Sequence, residues 1–411
     1  MRIVTIPQLS TRTVTVLVLA GTGSKYETKD KNGISHFLEH MFFKGTAKRP
    51  TPLAVAEVLD QVGGQYNAFT GEDYTGYYAK GDSAHFDLAL EWVADIFLHS
   101  ALPHKEVEKE KGVVIEELHM HRDNPALHIG DLWTKLLYGD QPAGWNIAGN
   151  EESVRSLSRN DLQEYMRRQY VAPNTVVCIA GNIKQTEATK KVRAAFASIR
   201  THRPAPKAKV IETQRHPQLL VEWRKTNQTN IALGVRGYGL EDPRRFTQHI
   251  MAVLLGGMMS SRLFVEVREK LGLAYDISTQ SESDPDTGFL FTMAGVKNDS
   301  VPKAVQVILN EYKKLKTKLI PDAELTKAKE YEKGKLALEL ESSNAKASFY
   351  GTQELLRGEM LTLELLYDKI NQVTREDIRA LSRDVFVPEK LNLALLGPYR
   401  EESAFLPLLK I

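Results

Sequence analysis

Ser158-Arg159-Asn160-Asp161-Leu162 opens a helical stretch that leads through Tyr170-Val171 to an apolar strand at 175–180, ending at Gly181. Thr374-Arg375-Glu376-Asp377-Ile378 opens a second, through Phe386-Val387 to a strand at 391–396, ending at Gly397. Each matching position lies 216 residues after its counterpart, about half the chain, so the sequence reads as two similar halves in tandem. Ser158 and Thr374 have the chemistry of helix N-caps, with acidic residues in the following turn. Both strands are short, apolar and bounded by turn residues. Working outward, alternating strands at 12–19 and 73–80 surround an amphipathic helix at 52–63. Helices at 84–98, 104–122, 128–137 and 158–168 follow before the strand at 175–180. This order predicts an α+β fold of two homologous α/β sandwich halves, each a mainly antiparallel sheet with helices packed on one face. The polar, proline-rich run Arg200-Thr201-His202-Arg203-Pro204-Ala205-Pro206-Lys207 marks the join. It divides the chain into a domain at 1–200, a linker at 201–214 and a domain at 215–411.

Composition narrows the function classes. Of the 411 residues, 42% are hydrophobic and 26% charged, as in an ordinary globular protein. The formal net charge of +2 is dispersed, which argues against nucleic acid as a partner. Cys178 is the single cysteine, so an internal disulfide and a thiolate metal site are both excluded. It lies in the apolar run Val176-Val177-Cys178-Ile179-Ala180 and reads as a small core residue. Met1-Arg2-Ile3-Val4-Thr5-Ile6 lacks the long apolar segment of a signal peptide. No run approaches the roughly 18 apolar residues of a membrane span. The expectation is a cytoplasmic chain with no membrane partner.

The chemistry concentrates in His36-Phe37-Leu38-Glu39-His40. Residues four apart share a helix face, so His36 and His40 can aim two imidazoles at one ion. Glu39 follows His36 by three and faces the same point. Two neutral imidazoles suit zinc, and a neighbouring carboxylate can take a proton from water there. The order is the reverse of His-Glu-x-x-His and has the form of the inverzincin signature. Phe37, Leu38, Met41, Phe42 and Phe43 make this helix largely buried, and burying two histidines and a glutamate without a partner is costly. A catalytic zinc needs a third protein ligand and an open fourth position. The helix at 104–122 offers Glu106, Glu108, Glu110, Glu116, Glu117, His119 and His121. Glu110 and Glu117 share a face, and Val113, Val114 and Ile115 turn this part toward the core. Spacing alone does not separate Glu117 from Glu116 or His121.

The string Asn32-Gly33-Ile34-Ser35-His36-Phe37-Leu38-Glu39-His40-Met41, followed by Phe43-Lys44-Gly45-Thr46, closely resembles the pitrilysin/insulinase family of inverzincin metallopeptidases. The nearest likeness is to the branch of mitochondrial processing peptidase and its bacterial relatives, and it covers nearly the whole chain. The resemblance implies a third ligand about 77 residues past the second histidine, which is Glu117, and a supporting glutamate seven residues earlier, Glu110. It implies that Asn67-Ala68-Phe69-Thr70, after Gly63-Gly64 and before Tyr74-Thr75-Gly76-Tyr77-Tyr78, is an edge strand whose backbone pairs with substrate. In the second half, Arg268-Glu269-Lys270-Leu271-Gly272-Leu273-Ala274-Tyr275 matches the family's arginine–tyrosine pair, which reaches the substrate carbonyl beside the zinc. A cation and a phenol suit a developing oxyanion. Arg262 lies at a less fitting spacing. At the repeat position of the metal motif stands His249-Ile250-Met251-Ala252-Val253, with Ala252 and Val253 in place of the base and the second ligand.

The resemblance therefore implies one Zn²⁺ per chain, held by His36, His40 and Glu117, with Glu39 as general base and Glu110 supporting the site. Asn67, Ala68 and Phe69 would align the substrate, and Arg268 and Tyr275 would polarise its carbonyl. The implied activity is metalloendopeptidase cleavage of unfolded peptides or presequence-like segments inside a clam-like chamber. The domain at 1–200 would be catalytic and that at 215–411 an inactive homologue. Four such domains enclose a chamber in this family, so the implied partner is a second copy in a homodimer, or a related subunit lacking the metal motif. The alternative is a non-catalytic scaffold or a peptide-binding processing subunit.

Overall fold

The computed structural model describes residues 1–411. Strands β1 (Arg2–Pro7), β2 (Thr13–Ala20), β3 (Gln65–Thr70), β4 (Thr75–Asp82) and β5 (Thr175–Gly181) form one sheet in the order β1-β5-β2-β4-β3. Strands β6 (Gln218–Trp223), β7 (Gln228–Arg236), β8 (Ala274–Ser283), β9 (Gly288–Lys297) and β10 (Leu391–Gly397) form another in the order β6-β10-β7-β9-β8. In each, the first pair is parallel and the others antiparallel. The 216-residue interval extends to register, with Arg2 opposite Val176 and Gln218 opposite Asn392.

The helices of the first half are α1 (Ile34–Met41), α2 (Pro52–Asp60), α3 (Phe86–His99), α4 (His104–Asp123), α5 (Pro125–Tyr138), α6 (Glu151–Ser156), α7 (Arg159–Gln169) and α8 (Gln185–Ala195). Those of the second are α9 (Arg245–Ala252), α10 (Val301–Thr317), α11 (Asp322–Glu339), α12 (Ser343–Arg357), α13 (Leu363–Gln372) and α14 (Arg375–Val385). The segments that revealed the repeat start α7 and α14, each through a reciprocal capping box, Ser158 with Asp161 and Thr374 with Asp377.

Alternation along the central strands sends side chains to two faces. In the first sheet Val14, Val16 and Val18 pack with Phe37, Leu38, Trp92 and Leu162 from α1, α3 and α7. Leu17 and Leu19, with Val176, Cys178 and Ala180, point the other way and are covered by Ala347 of α12. The approach is close: a Cβ on Gly351 would stand 3.0 Å from Leu19 Cδ1 and 3.3 Å from the Cys178 Cβ. In the second sheet Ile231, Leu233 and Val235 meet α9, α10 and α14. Its other face carries Ala232, Phe291, Ala394 and Leu396, covered by Ile129, Leu132 and Trp133 of α5. The Trp133 and Phe291 rings stack at 5.3 Å.

The two-sheet α+β architecture is the expected one, with a cover on the second face of each sheet as well. The chain divides into two compact units, one of residues 1–119, 145–208 and 337–361, the other of 120–144, 209–336 and 362–411. The contiguous boundaries at 1–200 and 215–411 are corrected accordingly. Helix α5 belongs to the second unit and α12 to the first. The physical reason lies in β5 and β10, which are buried along their whole length. A strand buried on both faces demands cover on both, and the second cover comes from the other half of the sequence. The join at 201–214 holds neither helix nor strand, and the first unit gives way to the second within it. No helix is long and apolar enough to cross a membrane.

Candidate metal centre

Helix α1 is fixed at its N-terminus and along its apolar side. Gly33 precedes it at φ +94°, and a Cβ there would stand 2.5 Å from the Ala148 carbonyl oxygen. Glu27 caps the exposed N–H groups: Oε2 accepts from Gly33 N at 2.7 Å and Asn32 Nδ2 at 3.0 Å, and Oε1 accepts from Ser35 N at 2.9 Å. Burial pushes this carboxyl up to about 7 despite those donors. Ile34, Phe37, Leu38 and Met41 are buried in the core, which prevents the helix from rolling. His36, Glu39 and His40 are thereby held on the remaining face.

Opposite them runs α4, whose inward stripe is Val107, Glu110, Val114 and Glu117. Val107 and Val114 are fully buried and Glu110 nearly so. Val113, expected to face the core with its neighbours, is 45% exposed instead, because it lies off this stripe. Glu117 Oε2 stands 3.6 Å from His36 Nε2 and 3.4 Å from His40 Nε2. Tetrahedral ligands about 2.0–2.1 Å from a zinc ion are roughly 3.4 Å apart, so both Glu117–histidine separations suit zinc, and the three donor atoms all lie within 4.8 Å of one another. The alternatives fall away. The Glu116 side chain is 81% exposed, and His119 is turned to Glu151 at 2.9 Å; His121 is exposed.

Behind this cluster, His40 Nδ1 contacts Glu110 Oε1 at 2.9 Å, and Glu110 Oε2 pairs with Lys44 Nζ at 2.7 Å. A carboxylate behind a ligand imidazole fixes its tautomer and orientation. Burial opposes the charged forms here, but the mutual hydrogen bonds prevail: the His40 imidazole is lifted to about 9 and the Glu110 carboxyl is lowered. Hydrogen bonding to His36 and His40 holds Glu117 far below the usual carboxylate range. Lys44, read only as part of the family-like string, and Glu27 were given no role from the sequence. A signal for Lys44 existed, since it continues the four-residue series of His36 and His40; Glu27 carried none.

Glu39 accepts a hydrogen bond at Oε2 from Thr70 Oγ1 at 2.6 Å. Thr70 ends β3, the strand at the edge of the first sheet and the one carrying Asn67, Ala68 and Phe69. The Asn67 side-chain carbonyl accepts from Ala68 N at 2.9 Å. Phe69 lies on the face of β3 opposite Thr70, edge-on to Tyr74 at 6.0 Å.

The second unit holds the other expected residues. Arg268 lies in a π-helical turn, Phe264–Lys270, with its guanidinium 4.6 Å from the Phe264 ring and 5.1 Å from that of Tyr275. Tyr275 is 79% exposed on β8, the edge strand of its sheet, beside an irregularity in pairing between Ala274 and Ile277. The two residues thus meet. Arg262 is instead held by Glu324 at 2.6 and 2.8 Å. His249 Nε2 pairs with Glu332 at 2.8 Å, while Ala252 and Val253 are buried in the core.

Residues 2–151 match the insulinase family (peptidase family M16), and residues 156–331 match the peptidase M16 inactive domain. The chain belongs to the M16 peptidase family. Relatives across it include an "uncharacterized zinc protease" of Bacillus subtilis, 39% identical over 94% of this chain and 93% of its own length. Another of that description, from Streptomyces coelicolor, is 33% identical over 98% of this chain and 89% of its own. The M16 fold recurs in a Helicobacter pylori protease, TM-score 0.89 at 24% identity, covering 96% of each chain. It recurs in a chain of complex III from Candida albicans, TM-score 0.86 at 19% identity, covering 100% and 97%.

Proposed function

We propose that this M16 chain is a zinc-dependent endopeptidase acting on extended, unfolded peptides or presequence-like segments. The observation that carries the proposal is the convergence of His36 Nε2, His40 Nε2 and Glu117 Oε2, on two helices locked by the core, with Glu39 on the same helix as the two histidines. Those three residues would hold the ion, which supplies a Lewis acid and makes water a nucleophile near neutral pH. The Glu39 carboxylate would accept a proton from the attacking water and pass it to the leaving amine. Glu110 holds the His40 ring in place through Nδ1. The free edge of β3 at Asn67 to Phe69 takes up the peptide as an added strand, which demands little of its sequence. Ala68 N–H, satisfied by the Asn67 side chain in the free protein, is one donor it would engage. Arg268 and Tyr275 keep the role implied by the resemblance, a cation and a phenol for the scissile carbonyl; their stacking on each other favours joint action. A second copy, or a related subunit without the metal motif, completes the chamber in this proposal.

Glu39→Gln tests it. The variant should retain metal and lose cleavage of an unstructured peptide by about 10²–10⁴-fold, the usual contribution of a general base. Cleavage at the wild-type rate with metal bound would refute the mechanism.

A further inference from the structure

We infer that Thr70 is a positioning residue that holds Glu39 in place for proton transfer and ties it to the strand on which the peptide is laid. The inference rests on the peptidase reading above.

The Thr70 hydroxyl donates to Glu39 Oε2 at 2.6 Å, the length of a hydrogen bond to a charged carboxylate. Threonine suits this task. Its branched Cβ leaves few χ1 states, so a fixed backbone fixes the oxygen. That backbone is anchored twice: Thr70 pairs with Thr75 across the hairpin, and Gly71 N donates to the Tyr74 carbonyl at 2.9 Å. Glutamate, by contrast, has three side-chain torsions, and Glu39 is only partly buried. Without a partner it would sample several positions around the cluster.

Strand alternation makes the connection specific. Tyr66, Ala68 and Thr70 share one face of β3. Ala68 is in the core with Phe37 of α1, and Tyr66 lies 6.3 Å from Phe43 just beyond that helix. This face meets the segment bearing the base, while the outer edge of the same strand offers backbone groups to a peptide. A peptide added to β3 is therefore placed in register with Thr70 and, through it, with Glu39. Anchoring Oε2 leaves Oε1 to carry the proton. The hydroxyl can donate to Oε2 whether or not Oε1 is protonated, so the anchor persists through both proton transfers.

The test compares Thr70→Val, which keeps shape and removes the donor, with Thr70→Ser, which keeps the donor. Both are assayed as metal-loaded full-length protein against a quenched fluorogenic unstructured peptide. Thr70→Val should lower kcat about 10- to 100-fold, as expected for a displaced catalytic group, with KM within about twofold and metal content unchanged. Thr70→Ser should restore most of kcat. In a Glu39→Gln background, Thr70→Val should change kcat no further. The inference is overturned if Thr70→Val keeps kcat within about twofold, if it acts through KM or metal loss, or if Thr70→Ser fails to rescue. Failure of the underlying reading looks different: wild type and Glu39→Gln would then cleave alike.

Discussion

His40 is held between two carboxylates, and its proton occupies the place a cation needs. Burial disfavours the imidazolium, but Glu110 and Glu117 outweigh it and raise the pKa from 6.5 to about 9 in the metal-free protein. A raised pKa stabilises the folded state fully below the unfolded value and ceases to do so as pH climbs through the folded one. Metal-free protein should therefore lose this contribution between pH 6.5 and about 9, seen as a falling melting temperature. Over the same window metal affinity should rise about tenfold per pH unit, because binding displaces one proton. Chelator competition at several pH values measures this, and a flat response would contradict a protonated His40. The three motif residues were legible in sequence because helical spacing alone puts His36, Glu39 and His40 together. Spacing did not separate Glu117 from Glu116, since adjacent positions differ only by a rotation of the helix, and only the family resemblance chose between them. The burial of Val107 and Val114 decides that rotation, and it depends on what α4 packs against. Thr70 belonged to the segment that resembles the family, but its contact with Glu39 was hidden for a related reason: the two lie 31 residues apart and meet only once β3 is placed.

At the scale of elements, the N-terminus of α1 depends on Glu27. Both of its oxygens accept from N–H donors at the start of the helix. Glu27→Gln replaces one acceptor by a donor and should destabilise the fold by about 1–3 kcal/mol, measured by urea denaturation of metal-loaded protein. An unchanged midpoint would mean the helix start is held by Gly33 and the core alone. Several elements were legible nearly to the residue, notably the capped helices α7 and α14 and the strands β2, β4, β5 and β10, because caps and alternation are local signals. The parallel pairing of β1 with β5 was not. It joins residues 174 apart, such as Arg2 and Val176, and nothing local distinguishes it from an antiparallel neighbour.

At the scale of the whole molecule, the exchanged helices were the largest feature missed. Their signal was present in Thr175–Gly181 and Leu391–Gly397, whose predominantly apolar residues on both faces mark strands covered on both sides. Which helix supplies the cover is a matter of distant packing and has no local sign. The buried Cys178 beneath α12 makes the exchange testable, since burial pushes its thiol up to about 12 and keeps it inert. Ala347→Asp places a charge against the apolar face over Cys178 and should cost several kcal/mol. The variant should react with a thiol reagent in native buffer at a rate at least tenfold above wild type, read by mass spectrometry. Equal rates would show that α12 is not what shields the first sheet.

The crossed helices also bear on how the protein is made. Translation delivers the first sheet early but the helix that covers its second face late, after most of the second sheet has left the ribosome. Until then Leu17, Leu19, Val176 and Ala180 remain on an uncovered face of the nascent chain. Such surfaces invite aggregation and chaperone capture. The first unit therefore completes its fold only once α12 has been made, and a chain released before α12 leaves one face of the first sheet open.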